Sequence, residues 1–325
     1  MKQEKLFALE SLRGIAALSV AFFHFNIGSH FNNAFVDNAW IMVDFFFVLS
    51  GFVIALNYMD RIKNIKDLII FQRKRFLRLY PLHIIMLFVF FLVEVAKYFV
   101  EVKFGLIANT QAFTSNDLKA FVLNVLLIQN WVLPNLTYNY PSWSISAEFY
   151  TYAIFGLLLV LTNKRRKLLV ASLIVSILGF GSLLSANGAS TDTITGPSRC
   201  LYAFSIGALV FCAYDFLRNT IVLKSSIPSA IFLISSIVIV IFYGVKEFNY
   251  IELVPIFFGL TILVLVLTER DKKIHQMLSK DWAVYLGTIS YGIYMTHALV
   301  WWIFAQILRF VLKVPTQVDP EGKVR

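Results

Sequence analysis

Apolar residues fall in nine long runs divided by polar connectors: 6–27, 40–58, 79–100, 143–161, 168–184, 201–216, 227–243, 253–267 and 283–312. Each is near, or somewhat short of, the length at which a helix crosses about 30 Å of hydrocarbon. The pattern predicts an all-α fold, a polytopic transmembrane bundle of about nine to ten helices. A further apolar stretch at 121–127 is too short to span and reads as an interfacial or re-entrant helix leading into the fourth run. The first run resembles a secretory signal at first sight. It holds Glu10, Arg13 and His24 and shows no small-residue cleavage site, so it reads as a retained first helix. No internal repeat, low-complexity tract or soluble domain interrupts the pattern, which makes residues 1–314 one membrane domain followed by a polar tail at 315–325.

Composition agrees. Of 325 residues, 58% are hydrophobic and only 15% charged, Phe alone contributes 32, and the mean hydropathy is +0.73. A soluble fold is nearer half apolar and a quarter charged. A secreted disulfide scaffold, a disordered regulator and an ordinary cytosolic enzyme are therefore excluded. The net charge of +10 would suggest nucleic acid in a soluble protein. Here most of the 29 basic residues fall in the N-terminal Lys pair and in connectors 61–78, 163–167, 218–224 and 269–280. The opposite connectors, 28–39, 101–142, 185–199 and 244–252, are poor in Lys and Arg. That asymmetry puts the N-terminus in the cytoplasm and makes the lipid bilayer, not nucleic acid, the partner of the charge. Cys200 and Cys212 are twelve residues apart in one apolar run and cannot pair within a helix, and no metal-ligand spacing is present.

An ionisable side chain at helix depth costs at least about 2.5–3.5 kcal/mol on insertion scales, so each one marks a functional site or a buried pair. Arg13 and His24 are eleven residues apart, on one helix face and roughly 16 Å from each other along the axis. Arg13 also has Glu10 three residues away, which leaves a neutralised local pair open, as helix packing is open for His24. Arg75 and Arg78 share a face just before the third run, either as a cytoplasmic anchor or as a clamp for phosphates. Glu148, one turn into the fourth run, has Ser144 as its i,i+4 neighbour and Trp143 beside it. It reads as a catalytic carboxylate or as the counter-ion of a structural arginine. Asp44, near the start of the second run, lies by topology at a depth similar to those of His24 and Glu148. Ser290, Tyr294 and His297 form one polar stripe on the ninth helix, lining a pocket or a helix interface.

Five segments occur together and in order: Leu9-Glu-Ser-Leu-Arg-Gly-Ile-Ala-Ala-Leu18 with His24, Asp44-Phe-Phe-Phe-Val-Leu-Ser-Gly-Phe52, Arg75-Phe-Leu-Arg-Leu-Tyr-Pro81, Trp143-Ser-Ile-Ser-Ala-Glu148, and Gly287 to His297. Jointly they resemble the acyltransferase-3 family of integral membrane acyltransferases, which O-acetylate cell-envelope or secreted glycans. The resemblance implies acetyl-CoA or another acyl-CoA as cytoplasmic donor and a carbohydrate hydroxyl as acceptor on the far side. It implies polysaccharide modification in a bacterial inner membrane, catalytic roles for Arg13 and His24, and donor binding by Arg75 and Arg78. It also implies one further span, which is not read after residue 312.

The mechanism expected from these residues places the donor's phosphates on Arg75, Arg78 and Arg13. His24 then acts as general base, oriented by Glu148 or Asp44, with Ser144 or Tyr294 steadying the oxyanion. A covalent acyl-His intermediate is the other chemical route. A transporter using the same charges to bind a polar or anionic solute is the alternative outside this class. The sequence carries no signal for oligomeric state.

Overall fold

The computed structural model describes residues 6–25, 33–105, 110–162, 165–185, 195–243 and 251–311. The N-terminal lysines, much of the expected connectors 28–39, 185–199 and 244–252, and the tail at 315–325 lie outside the described residues. Among the described residues there is no β-strand. The principal helices are α1 Phe7–Phe23, α2 Met42–Tyr58, α3 Ile65–Phe104, α4 Leu118–Val125, α5 Trp143–Thr162, α6 Arg165–Ser185, α7 Gly196–Leu217, α8 Ile227–Phe242, α9 Val254–Leu267 and α10 Asp281–Phe310.

Every apolar run of the sequence coincides with one of these helices. The stretches Ala39–Tyr58, Ile65–Phe104, Tyr140–Thr162 and Gly196–Leu217 are long and apolar enough to cross a membrane. Leu169–Leu183, Ile227–Phe242 and Val254–Leu267 are apolar but shorter. Lipid-type surfaces are plain on α3 and α8, where Ile85, Phe88, Leu92, Ile231 and Ile234 are exposed while Phe47, Phe52, Phe204 and Phe258 fill the centre.

Two helix boundaries differ from the sequence expectation. The expected connector 61–78 is helical from Ile65, because the Asn64 side chain caps Asp67 N–H and the helix then runs unbroken for 40 residues, about 60 Å. It ends at Gly105, whose φ of 64° is the left-handed cap that glycine tolerates. In the same way α7 opens at Gly196-Pro197, with proline in the first turn, so Arg199 is inside the helix rather than in the connector before it. The short stretch expected at 121–127 is helical as far as Val125, in α4, and turns at Leu126 and Leu127. Asp117 caps Ala120 N–H at 2.7 Å, and Ser146 of α5 donates to the Leu127 carbonyl at 2.6 Å.

Close packing sets the neighbour order. Helices α1 and α10 run parallel: Ser11 donates to the Leu278 carbonyl just before α10, and Trp301 Nε1 donates to the Ala21 carbonyl at the far end. Between them Gly14 and Gly287 meet backbone to backbone, and a Cβ at Gly287 would land on the Glu10 carbonyl. Helices α2 and α7 are likewise parallel and touch at Gly51 and Gly207. Helices α3 and α5 are antiparallel, with Gln72 Nε2 donating to the Phe149 carbonyl and Leu68 filling the notch at Gly156. Small residues at such crossings let backbones approach where lipid offers no hydrophobic drive.

A Cβ at Gly207 would occupy the position of the Val48 carbonyl oxygen, whereas one at Gly181 meets nothing within 4 Å. Gly207→Val is therefore expected to destabilise the detergent-solubilised protein by about 1–3 kcal/mol and Gly181→Val hardly at all. Equal thermal unfolding midpoints for the two variants would show that the α2–α7 crossing is not close.

Candidate active site

Helices α1, α2, α3, α5 and α10 enclose a cavity of about 110 Å³, room for several waters. Its wall carries Arg13, Arg75, Arg78 and Glu148 as charged groups and Ser50, Ser144, Tyr152, Ser290, Tyr291 and Tyr294 as hydroxyl groups, set among Val, Leu, Ile and Phe side chains. Two helices, α1 and α3, thus bring three arginines to one chamber.

The arginines differ in how they are held. Arg13 pairs with Glu10 at 2.5 Å, as i,i+3 neighbours on a helix can. It also donates to the Gly287 carbonyl at 2.7 Å and, from Nε, to Ser290 Oγ at 3.0 Å. The local pair is real, and the same guanidinium ties α1 to α10. Arg75 donates to Tyr58 Oη at 3.2 Å and lies over the Tyr58 and Phe71 rings, while its Nε is buried without a partner. Arg78 makes no hydrogen bond among the described residues and is exposed at the cavity.

Glu148 is held by hydroxyl groups, not by arginine. Ser50 Oγ and Tyr152 Oη both donate to its Oε1, leaving Oε2 without a hydrogen bond among the described residues. Tyr152 sits one helical turn after Glu148, so the i,i+4 rule that singled out Ser144 on one side also reaches Tyr152 on the other. Ser144 itself turns elsewhere: its hydroxyl meets Tyr294 Oη at 2.7 Å, and both hydroxyls lie within reach of the Pro141 carbonyl.

Asp44 stands apart from this chamber. Its two carboxylate oxygens take Nε and Nη2 of Arg199, each at 2.7 Å, in a forked pair whose side chains are 1% and 2% exposed. The guanidinium also lies over Trp40 at 4.8 Å and Trp143 at 5.8 Å. Trp143 is thus packed on the ion pair and is not on the cavity wall. The counter-ion role considered for Glu148 falls to Asp44, and the partner is a residue that the sequence pattern placed in a connector. An arginine two residues before an apolar run was the available signal.

His24 and His297 also lie off the wall, one turn past Tyr294. His24 Nδ1 is 3.1 Å from His297 Nε2 and 3.0 Å from the Val20 carbonyl. His297 Nδ1 is 2.6 Å from the Tyr294 carbonyl. The Tyr140 ring, not foreseen from sequence, lies 4.9 Å from the His24 ring. Neither Glu148 nor Asp44 is a hydrogen-bond partner of His24. Depth along a helix follows from topology, but which neighbour a face meets does not. Among the described residues no cluster of His, Cys, Asp and Glu is arranged to hold a metal ion.

Comparison with known proteins adds an independent line. A family profile described as an acyltransferase domain matches residues 6–318. ORF330 of Acidianus two-tailed virus, provisionally named an acetyltransferase, is 26% identical over 298 residues, covering 90% of this chain and 82% of its own. Acyltransferase MdmB of Streptomyces mycarofaciens is 33% identical over 172 residues, covering 49% of this chain and 41% of its own. No solved structure matches significantly.

The geometry gives Asp44 and Arg199 a structural task. Asp44→Ala or Arg199→Ala should each lower stability by roughly 3–5 kcal/mol, because the charge left behind is buried and uncompensated. The double variant Asp44→Leu/Arg199→Met should recover most of that loss. Single variants that melt like the parent would show that the pair does not carry the fold.

Proposed function

We propose, on the premise that this chain belongs to the acyltransferase-3 family, that it moves an acyl group, most simply acetyl, from a coenzyme A thioester to a hydroxyl of an extracytoplasmic glycan. Its class as a membrane acyltransferase follows from the family, which covers nearly the whole chain. The observation that carries the finer reading is the arginine-lined cavity. Arg13, Arg75 and Arg78 face one space whose wall includes Glu148 as the one carboxylate among its described residues, and that carboxylate is occupied by hydroxyl donors.

Such a chamber suits an anion with several phosphate oxygens. Guanidinium groups offer forked donors to phosphate, and two on adjacent turns of α3 match a diphosphate better than a single lysine would. Because α3 carries the basic segment at the end that the charge asymmetry assigns to the cytoplasm, the donor enters from the side where acyl-CoA is made. The acyl-pantetheine arm then points along α1 and α10 toward His24, about 16 Å further on. The acceptor reaches the same residue from the opposite face. Acetyl as the group moved is supported by the name of the viral relative.

In the transfer, the acceptor oxygen attacks the thioester carbonyl carbon while the imidazole of His24 takes the hydroxyl proton. The C–S bond breaks, and the proton passes from His24 to the departing thiolate. The hydroxyls of Tyr294 and Ser144, hydrogen-bonded to each other, steady the developing oxyanion.

The test is acetyl transfer in proteoliposomes, followed by thiol release and by the mass of envelope glycans from cells with and without the active protein. Arg75→Ala and Arg78→Ala should each raise the KM for acetyl-CoA by about 10-fold or more, the worth of a charge-assisted hydrogen bond, with kcat less affected. His24→Ala should abolish transfer. An unchanged KM in both arginine variants would remove the phosphate clamp, and full transfer by His24→Ala would remove the base.

A further inference from the structure

His24 and His297 are the two imidazoles that the sequence assigned to separate roles, one as base and one as part of a polar stripe. The structure joins them by a nitrogen-to-nitrogen contact of 3.1 Å. Such a contact needs one proton between two nitrogens, so the tautomers of the two rings are linked.

The surrounding carbonyls decide which tautomers these are. His297 Nδ1 lies 2.6 Å from the Tyr294 carbonyl oxygen, which can only accept, so Nδ1 carries the proton. A neutral imidazole has one N–H, and His297 Nε2 is therefore a bare acceptor. That lone pair faces His24 Nδ1, which also lies 3.0 Å from the Val20 carbonyl. Both neighbours of His24 Nδ1 can only accept, so this nitrogen bears a proton and shares it between them. The opposite tautomer would set its lone pair against a carbonyl oxygen and a second lone pair at once. His24 Nε2 is then the nitrogen with a free lone pair, and it has no hydrogen-bond partner among the described residues. The Phe23 ring at 4.7 Å and the Tyr140 ring at 4.9 Å flank the imidazole and limit its swing.

We propose that His297 is the positioning residue of this site: it holds His24 in the Nδ1–H form, so that Nε2 takes the proton of the acceptor hydroxyl. The inference rests on the reading of His24 as general base. When Nε2 is protonated, His24 becomes an imidazolium whose Nδ1–H already points at an acceptor, and that hydrogen bond strengthens as the charge forms. A carboxylate performs this task in serine hydrolases. Here a neutral ring does so, and no second charge has to be kept in the apolar interior.

Paired variants of nearly equal size separate positioning from packing. The amide of Gln reaches the place of an imidazole Nε2, whereas that of Asn reaches only the place of Nδ1. His297→Gln can therefore still accept from His24, and His297→Asn cannot. With acetyl-CoA as donor and glycerol as hydroxyl probe, in proteoliposomes of the full chain, His297→Asn is expected to lose on the order of 10²-fold or more in kcat. The KM for acetyl-CoA stays unchanged, and His297→Gln retains most of the rate. Equal rates for the two variants would overturn the proposal.

A second measurement is independent of turnover. Nitrogen-15 NMR of histidine-labelled protein in nanodiscs, with the His24 signals identified by their loss in His24→Ala, should show Nδ1 protonated and Nε2 bare. A protonated Nε2 in the parent overturns the proposal. A parent with the expected tautomer and no acetyl transfer to any hydroxyl would leave the positioning assignment standing and remove the acyl-transfer reading instead.

Discussion

The seam between α1 and α10 is the contact on which the site depends. Gly14 and Gly287 let the two backbones touch, and this touch fixes the axial register of two parallel helices. Once the register is set, Arg13 reaches the Gly287 carbonyl, and His24 falls beside His297, each ten residues past its glycine, since the two helices rise by the same amount per residue. A shift of one turn, about 5.4 Å, would separate both pairs together. Ser11 at one end and Trp301 at the other close the seam with hydrogen bonds to backbone carbonyls, so its length is defined as well as its register.

Around this seam the apolar interior enforces a strict partnering of polar groups. In an apolar interior an unpaired charge or donor costs several kcal/mol. The outcome is a set of separate local solutions. Asp44 is satisfied by Arg199, Glu148 by Ser50 and Tyr152, Arg13 by Glu10 and the Gly287 carbonyl, and His24 by His297. Arg75 and Arg78 are the exception. Neither is matched by a carboxylate among the described residues, which leaves the chamber positive on one side and ready for an anion.

Much of this was legible before any coordinates. Each long apolar run became a helix, because hydrophobic periodicity and length are written locally in the chain. The residues of interest were also legible, since ionisable groups in a hydrocarbon setting stand out against Leu, Ile and Phe. Arg13, Arg75, Arg78, Ser144, Glu148, Ser290 and Tyr294 do meet in one cavity. What the pattern could not supply was azimuth between helices. Depth placed His24, Asp44 and Glu148 on one level and so suggested one cluster, yet each of the three faces a different neighbour. Helix ends were the other gap. Asn64 and Pro197 each start a helix earlier than hydropathy does, and the second of these concealed Arg199, the largest of the fully buried side chains.

The Glu10–Arg13 pair has a meaning in the time course of synthesis. The two halves of the seam are 273 residues apart in the chain. At about 5–20 residues per second, α1 waits roughly 15–55 s in the bilayer before α10 emerges to receive it. During that interval Gly287 and Ser290 do not yet exist for Arg13. Glu10, three residues away on the same helix, is present from the first moment and neutralises the guanidinium at once. The costliest side chain of α1 is thus accompanied by its own helix before α10 exists to receive it.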